Sequence, residues 1–166
     1  MKRYQNDRDA SLKQSWWKGT LAGFMGAIPM TIFMLATQRF LPEGQRYDLP
    51  PEIITKELTS RAHVRWRMNK TQILITTLIA HLSYSAAVGT LYVPFERKKS
   101  LPTLVQGAVF GLLVWAGSYL IALPLLGMSE RGQREPLKRN LMMIAAHIVW
   151  GSATGATLAA LMHKNR

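Results

Sequence analysis

Four stretches of this chain contain no Asp, Glu, Lys or Arg: Gly19–Gln38, Thr71–Phe95, Ser100–Ser129 and Asn140–His163, of 20, 25, 30 and 24 residues. They take up 99 of the 166 residues, so all 30 formal charges fall in the other 67. A helix at the surface of a water-soluble domain needs a polar face, and a domain this small cannot hide four helices that lack one. A bilayer can hold them, because about 20 apolar residues at 1.5 Å rise cross its hydrocarbon core. The near-zero mean hydropathy of +0.02 averages apolar spans with charged connections. The pattern implies an all-α membrane protein: a four-helix transmembrane bundle of two helix hairpins, forming a single domain over residues 1–166.

The absence of cysteine excludes disulfides, thiolate metal sites and cysteine nucleophiles. The net charge of +12 raises nucleic acid as a partner. Here, however, the Lys and Arg flank apolar spans, where they meet headgroups and set orientation. The bilayer is therefore the expected partner, and nucleic acid is not. The basic segment Met1–Lys18 precedes an apolar run as in a signal peptide, but that run is too long and lacks an A-x-A site, so it reads as a retained first span.

The spans are expected at about 16–40, 72–95, 101–126 and 140–163. Trp16-Trp17-Lys18 makes an interfacial anchor for the first, and Pro29 predicts a kink within it. Between spans one and two, Asp48-Leu49-Pro50-Pro51-Glu52 resembles a helix start, with Asp48 as N-cap candidate. Ile54, Leu58, Ala62 and Trp66 recur every fourth residue, which predicts an amphipathic helix over about 50–68, lying on the membrane surface or capping the bundle mouth. Glu96-Arg97-Lys98-Lys99 reads as a tight basic turn. Lys and Arg counts on the two sides nearly balance, but those on the side of the termini are packed into fewer, span-proximal positions, which favours cytoplasmic termini.

Ala80-His81-Leu82-Ser83-Tyr84-Ser85-Ala86-Ala87-Val88-Gly89 aligns with Ala146-His147-Ile148-Val149-Trp150-Gly151-Ser152-Ala153-Thr154-Gly155, 66 residues on. Gly19-x-x-x-Gly23 aligns with Gly107-x-x-x-Gly111 at an offset of 88. A duplicated hairpin with an insertion in its first copy accounts for both offsets, and the copies would run parallel. In that arrangement His81 and His147 lie at similar depth, towards the side away from the termini.

Two kinds of residue emerge as candidates. Gly19, Gly23, Gly89, Gly107, Gly111, Gly151 and Gly155 let backbones approach closely and read as packing seams, within the bundle or between protomers. His81 and His147, with Tyr84 and Trp150 three residues along, form a possible functional pair, since a titratable side chain inside a span is a functional candidate. Each histidine shares a face with small residues. Such a pair suits a structural bond to a neighbouring helix, a proton relay, or axial ligation of a haem. Two imidazoles alone make a poor zinc site. No P-loop, G-x-S-x-G or H-E-x-x-H is present and no carboxylate falls within the charge-free spans, so neither a catalytic residue nor a metal centre is expected.

The motifs His81-x-x-Tyr84-Ser85, Gly89-x-x-Tyr92, Gln106-Gly107-x-x-x-Gly111, Leu123-Pro124-Leu125-x-Gly127 and His147-Ile148-Val149-Trp150, with Leu49-Pro50-Pro51, resemble the YagU-like family of small bacterial inner-membrane proteins. That likeness implies a multi-pass protein of the bacterial cytoplasmic membrane, in a family without a defined activity and loosely linked with acid tolerance. The expectation is a non-enzymatic inner-membrane protein without a cofactor, an assembly or stress-adaptation factor acting through helix contacts as a homo-oligomer or within a larger membrane complex. The alternatives are an electron-transfer subunit holding haem b between His81 and His147, and a small permease or proton-responsive channel.

Overall fold

The computed structural model describes residues 2–96, 101–128 and 136–163, with side chains from residue 16 onward. The described residues form helices and connecting turns without strands. Helix α1 spans Lys2–Gln38, α2 Pro50–Arg61, α3 Lys70–Glu96, α4 Thr103–Gly117 and α5 Leu137–His163; α4 continues through one π turn, Ser118–Ala122, to Leu125. Four segments are long and apolar enough to cross a membrane: Trp16–Gln38, Lys70–Glu96, Thr103–Leu125 and Leu137–His163, of 23, 27, 23 and 27 residues. At 1.5 Å per residue these measure about 35–40 Å, against about 30 Å of hydrocarbon.

The four run up, down, up and down. Helix α5 is central, packing on both α1 and α4; α1 also packs on α3, whereas α3 and α4 meet only sparsely. The core follows α1 and α5: Ala22, Ala27, Met30 and Met34 meet Met143, Ala146, Trp150 and Leu158. The outward faces are large and apolar, with Ile32 63% and Leu120 66% exposed. Such a surface is stable in lipid and costly in water.

The helix ends explain several departures from the sequence reading. Helix α1 stops at Gln38 rather than near Phe40. Trp16 and Trp17 face outward as the anchor requires, but Lys18 is buried, because helical spacing puts it on the same face as the buried Ala22. Asp48 is not the N-cap of α2. Leu49 holds that position, Pro50 and Pro51 occupy the first turn where no N–H is needed, and the Asp48 carboxylate pairs with Lys56 instead.

Helix α2 ends at Arg61, seven residues short of the expected 68. His63 adopts φ 57°, and Val64 N–H reaches back to Thr59 O at 3.1 Å, a left-handed C-terminal stop. Trp66 therefore lies beyond the helix in a separate 3-10 turn, off the Ile54–Leu58 face. Helix α3 starts at Lys70 behind a reciprocal cap, in which Asn69 N–H bonds Gln72 Oε1 and Gln72 N–H bonds Asn69 Oδ1, both at 2.9 Å. Glu96 belongs to α3 and is buried, accepting from Tyr92 Oη at 3.1 Å. It is not part of an exposed turn, and the remainder of that expected turn, 97–99, lies outside the described residues. Helix α4 closes at Gly127 (φ 68°), the Schellman-type position that favours glycine, with Met128 N–H on Leu123 O at 2.8 Å.

Candidate functional site

The glycines are spent within the chain. A Cβ on Gly23 would strike Ser85 O and lie 2.7 Å from Gly89 Cα; one on Gly19 would lie 2.9 Å from Gly89 O. On the other hairpin a Cβ on Gly107 would strike Gly151 O, one on Gly111 would strike His147 O, and one on Gly155 would lie 2.8 Å from Tyr92 Oη. Both seams are thus mainly backbone-to-backbone contacts, α1 on α3 and α4 on α5, with Gly155 also against the Tyr92 side chain of α3. Their registers differ by one turn. Gly23 meets Gly89, whereas Gly111, which aligns with Gly23 in the expected repeat, meets Gly151, four residues before Gly155, which aligns with Gly89. The small-residue grooves beside the histidines are therefore filled by helix backbone and hold no open slot for a flat ligand.

Open space lies elsewhere. A cavity of about 340 Å³ opens between α3 and α4, in the half of the bundle away from Trp16 and His163. Helix α2 covers it with Pro50, Pro51, Ile54, Thr55 and Leu58. Ala80, His81, Tyr84 and Ser85 of α3 form one wall; Val114, Ser118, Tyr119, Ala122, Leu123 and Leu126 of the α4 segment form the other. Met30, Met143, His147 and Trp150 make the floor. The two histidines chosen from sequence, with both their aromatic companions, thus line one space.

Local structure builds this space. Pro124 has no N–H for the preceding turn, and α4 takes up an extra residue there, with Leu123 N–H bonding Ser118 O across the π turn. Ser118, Tyr119 and Ala122 on that turn all face the cavity. Tyr84 Oη and Ser118 Oγ meet at 2.9 Å, bridging α3 and α4 where they otherwise barely touch. Arg61 Nη1 donates to Leu126 O at 2.6 Å, fastening the end of α2 to the end of the α4 segment.

The candidates differ in what they do. Trp150 is structural: it is buried, stacks on Phe110 at 5.8 Å, and donates from Nε1 to Gly23 O at 3.1 Å. His147 is buried, with Nδ1 at 2.8 Å from Met143 O. A carbonyl can only accept, so Nδ1 carries the proton and Nε2 of the neutral ring keeps its lone pair. That Nε2 bonds to no described residue and is not among the fully enclosed polar atoms, so it opens on the cavity. His81 Nε2 is enclosed and without a hydrogen-bond partner, an arrangement that costs free energy unless something fills it. Among the described residues no three ligand-type side chains gather as a metal site.

Three polar residues at the bundle ends escaped the sequence reading. Arg139 is fully buried and donates to the carbonyls of Gln45, Tyr47 and Asp48. Gln106 is buried and bonds Phe95 O, and Glu96 completes that end with Tyr92. Position was the signal for two of them: Arg139 and Glu96 each border a charge-free window, whereas Gln106 lies seven residues into one and carries no such mark.

Residues 17–155 match the model of a family described as a protein of unknown function, DUF1440, and the chain belongs to that family. No curated protein and no solved structure matches it.

Proposed function

Starting from a membrane-spanning member of the DUF1440 family, we propose that this protein is a non-enzymatic binding protein that holds a small amphiphile inside the bilayer. The apolar body of the ligand occupies the space between α3 and α4, and its polar group meets His147, with His81 on the neighbouring wall. The observation that carries this reading is the covered cavity itself, nearly apolar in its walls yet with two imidazoles facing it. At about 340 Å³ it falls in the range of small-molecule sites, about 300–1,000 Å³, which pair apolar walls with a few placed polar groups. In this reading the helix contacts expected to mediate assembly serve to build the site, and any stress or acid-tolerance role follows from its occupancy. The likeness to YagU-like proteins supports placement in a bacterial cytoplasmic membrane, and the span-proximal Lys and Arg on the side of the termini support cytoplasmic termini.

A second reading, haem b ligated by the same two histidines, is favoured by one feature. The Nδ1 bond to Met143 O leaves His147 Nε2 as the nitrogen that would hold the iron, whereas the filled grooves and the enclosed His81 Nε2 would have to open to admit the macrocycle. A visible spectrum of the protein purified from its own membranes separates the two: a Soret band lost in both His81→Ala and His147→Ala selects haem. The amphiphile reading is tested by native mass spectrometry of that preparation. It expects a bound species of a few hundred daltons, absent from the Ala122→Phe and Ala80→Phe variants, which fill the cavity from its two walls. Identical spectra without any bound species, in the parent and both variants, overturn it.

A further inference from the structure

The polar atoms in the cavity restrict what its occupant can be. His147 Nε2 is an acceptor, because Nδ1–H is committed to Met143 O at 2.8 Å. His81 Nε2 is enclosed and has no partner, so it is closed to an occupant of the cavity. A carbonyl on the ligand would leave His147 Nε2 facing a group that offers no proton. A hydroxyl meets this need by donating to His147 Nε2. Tyr84, Tyr119 and Trp150 line the same space, and such walls suit the face of a flat ring. The sparse contact between α3 and α4 leaves the adjoining side free for an apolar tail to extend towards lipid.

Resting on the binding-protein reading above, we propose that this site takes an aromatic alcohol of the membrane, a phenol or hydroquinone bearing an apolar tail. Its ring hydroxyl donates to His147 Nε2. The oxidised quinone and an O-methylated ring, which cannot donate, bind more weakly. No electron or group transfer is involved: selection follows from the donor that the ligand brings.

The test uses the full chain in zwitterionic lipid nanodiscs under anaerobic conditions. Three probes are titrated: an alkyl hydroquinone, the corresponding quinone, and the hydroquinone dimethyl ether. The hydroquinone is expected to bind about tenfold or more tightly than the ether, the worth of one buried hydrogen bond. His147→Phe should abolish that preference while ether binding persists. The helical circular dichroism of each variant checks folding, and the parent protein's preference is decisive even if one variant fails to fold. Equal binding of all three probes, blocked by Ala122→Phe, overturns the ligand class and leaves the cavity reading standing. Absence of binding by all three overturns the ligand class, and if native preparations also carry nothing, the cavity reading falls with it.

Discussion

Arg139 Nη1 donates to the carbonyl of Gln45 at 3.0 Å, joining the first turn of α5 to the turn that follows α1, 94 residues earlier in the chain. The same guanidinium reaches Tyr47 O at 3.1 Å and Asp48 O at 2.9 Å and lies over the Tyr47 ring at 3.7 Å. One planar, always-charged fork thus fixes the chain immediately before α2, and with it the cover of the cavity. Arg139→Lys retains the charge but cannot span three carbonyls. It is expected to lower stability by about 2–3 kcal/mol, the worth of lost charge-assisted bonds. Thermal unfolding in mild detergent checks this, with the exposed Arg39→Lys as a neutral control.

The seams make a sharper prediction. Gly23→Leu and Gly111→Leu force side chains into the backbones of Ser85 and His147 and should separate the helices, costing about 1–3 kcal/mol or more. Gly117 has open space around its Cβ position, so Gly117→Ala should be neutral or gain up to about 1 kcal/mol from helix propensity. Because the glycines face partners in the same chain, the first two losses should appear as lower unfolding midpoints at every protein concentration.

At the surface, Lys56 pairs with Asp48 and, at 2.7 Å, with Glu52. The hydrogen bond to Asp48 is the main cause that raises the lysine pKa above its ordinary 10.5; Glu52 adds to it, and burial opposes it. The folded state therefore favours the charged amine. Its contribution is fully present below pH 10.5 and is lost as pH rises through the raised value. Since the pair is about a third exposed, the effect should be below about 1 kcal/mol and smaller in high salt. The stability difference between the parent protein and Lys56→Met should shrink towards zero as pH is taken above that range.

The spans were legible from sequence because charge exclusion over 20 or more residues has few physical solutions. The histidine pair was legible because an imidazole in such a run stands out. The cavity was not. It depends on the π turn before Pro124, on the early stop of α2 at His63 with its positive φ, and on α3 and α4 standing apart. These are tertiary outcomes that helical periodicity does not encode. Arg139 was hidden for a related reason: a charged residue beside a span reads as a headgroup contact until the carbonyls it serves are placed in space.

Everything rests on four crossings of the bilayer, and the cysteine-free chain makes that directly measurable. Single-cysteine variants at Gly44, Ile79 and His163 can be labelled with a membrane-impermeant maleimide on sealed vesicles of defined orientation. The account predicts that Gly44→Cys reacts from one side, His163→Cys only from the other, and Ile79→Cys, on a lipid-facing stretch of α3, from neither. Reaction of Gly44→Cys and His163→Cys from the same side, or ready labelling of Ile79→Cys, would contradict it.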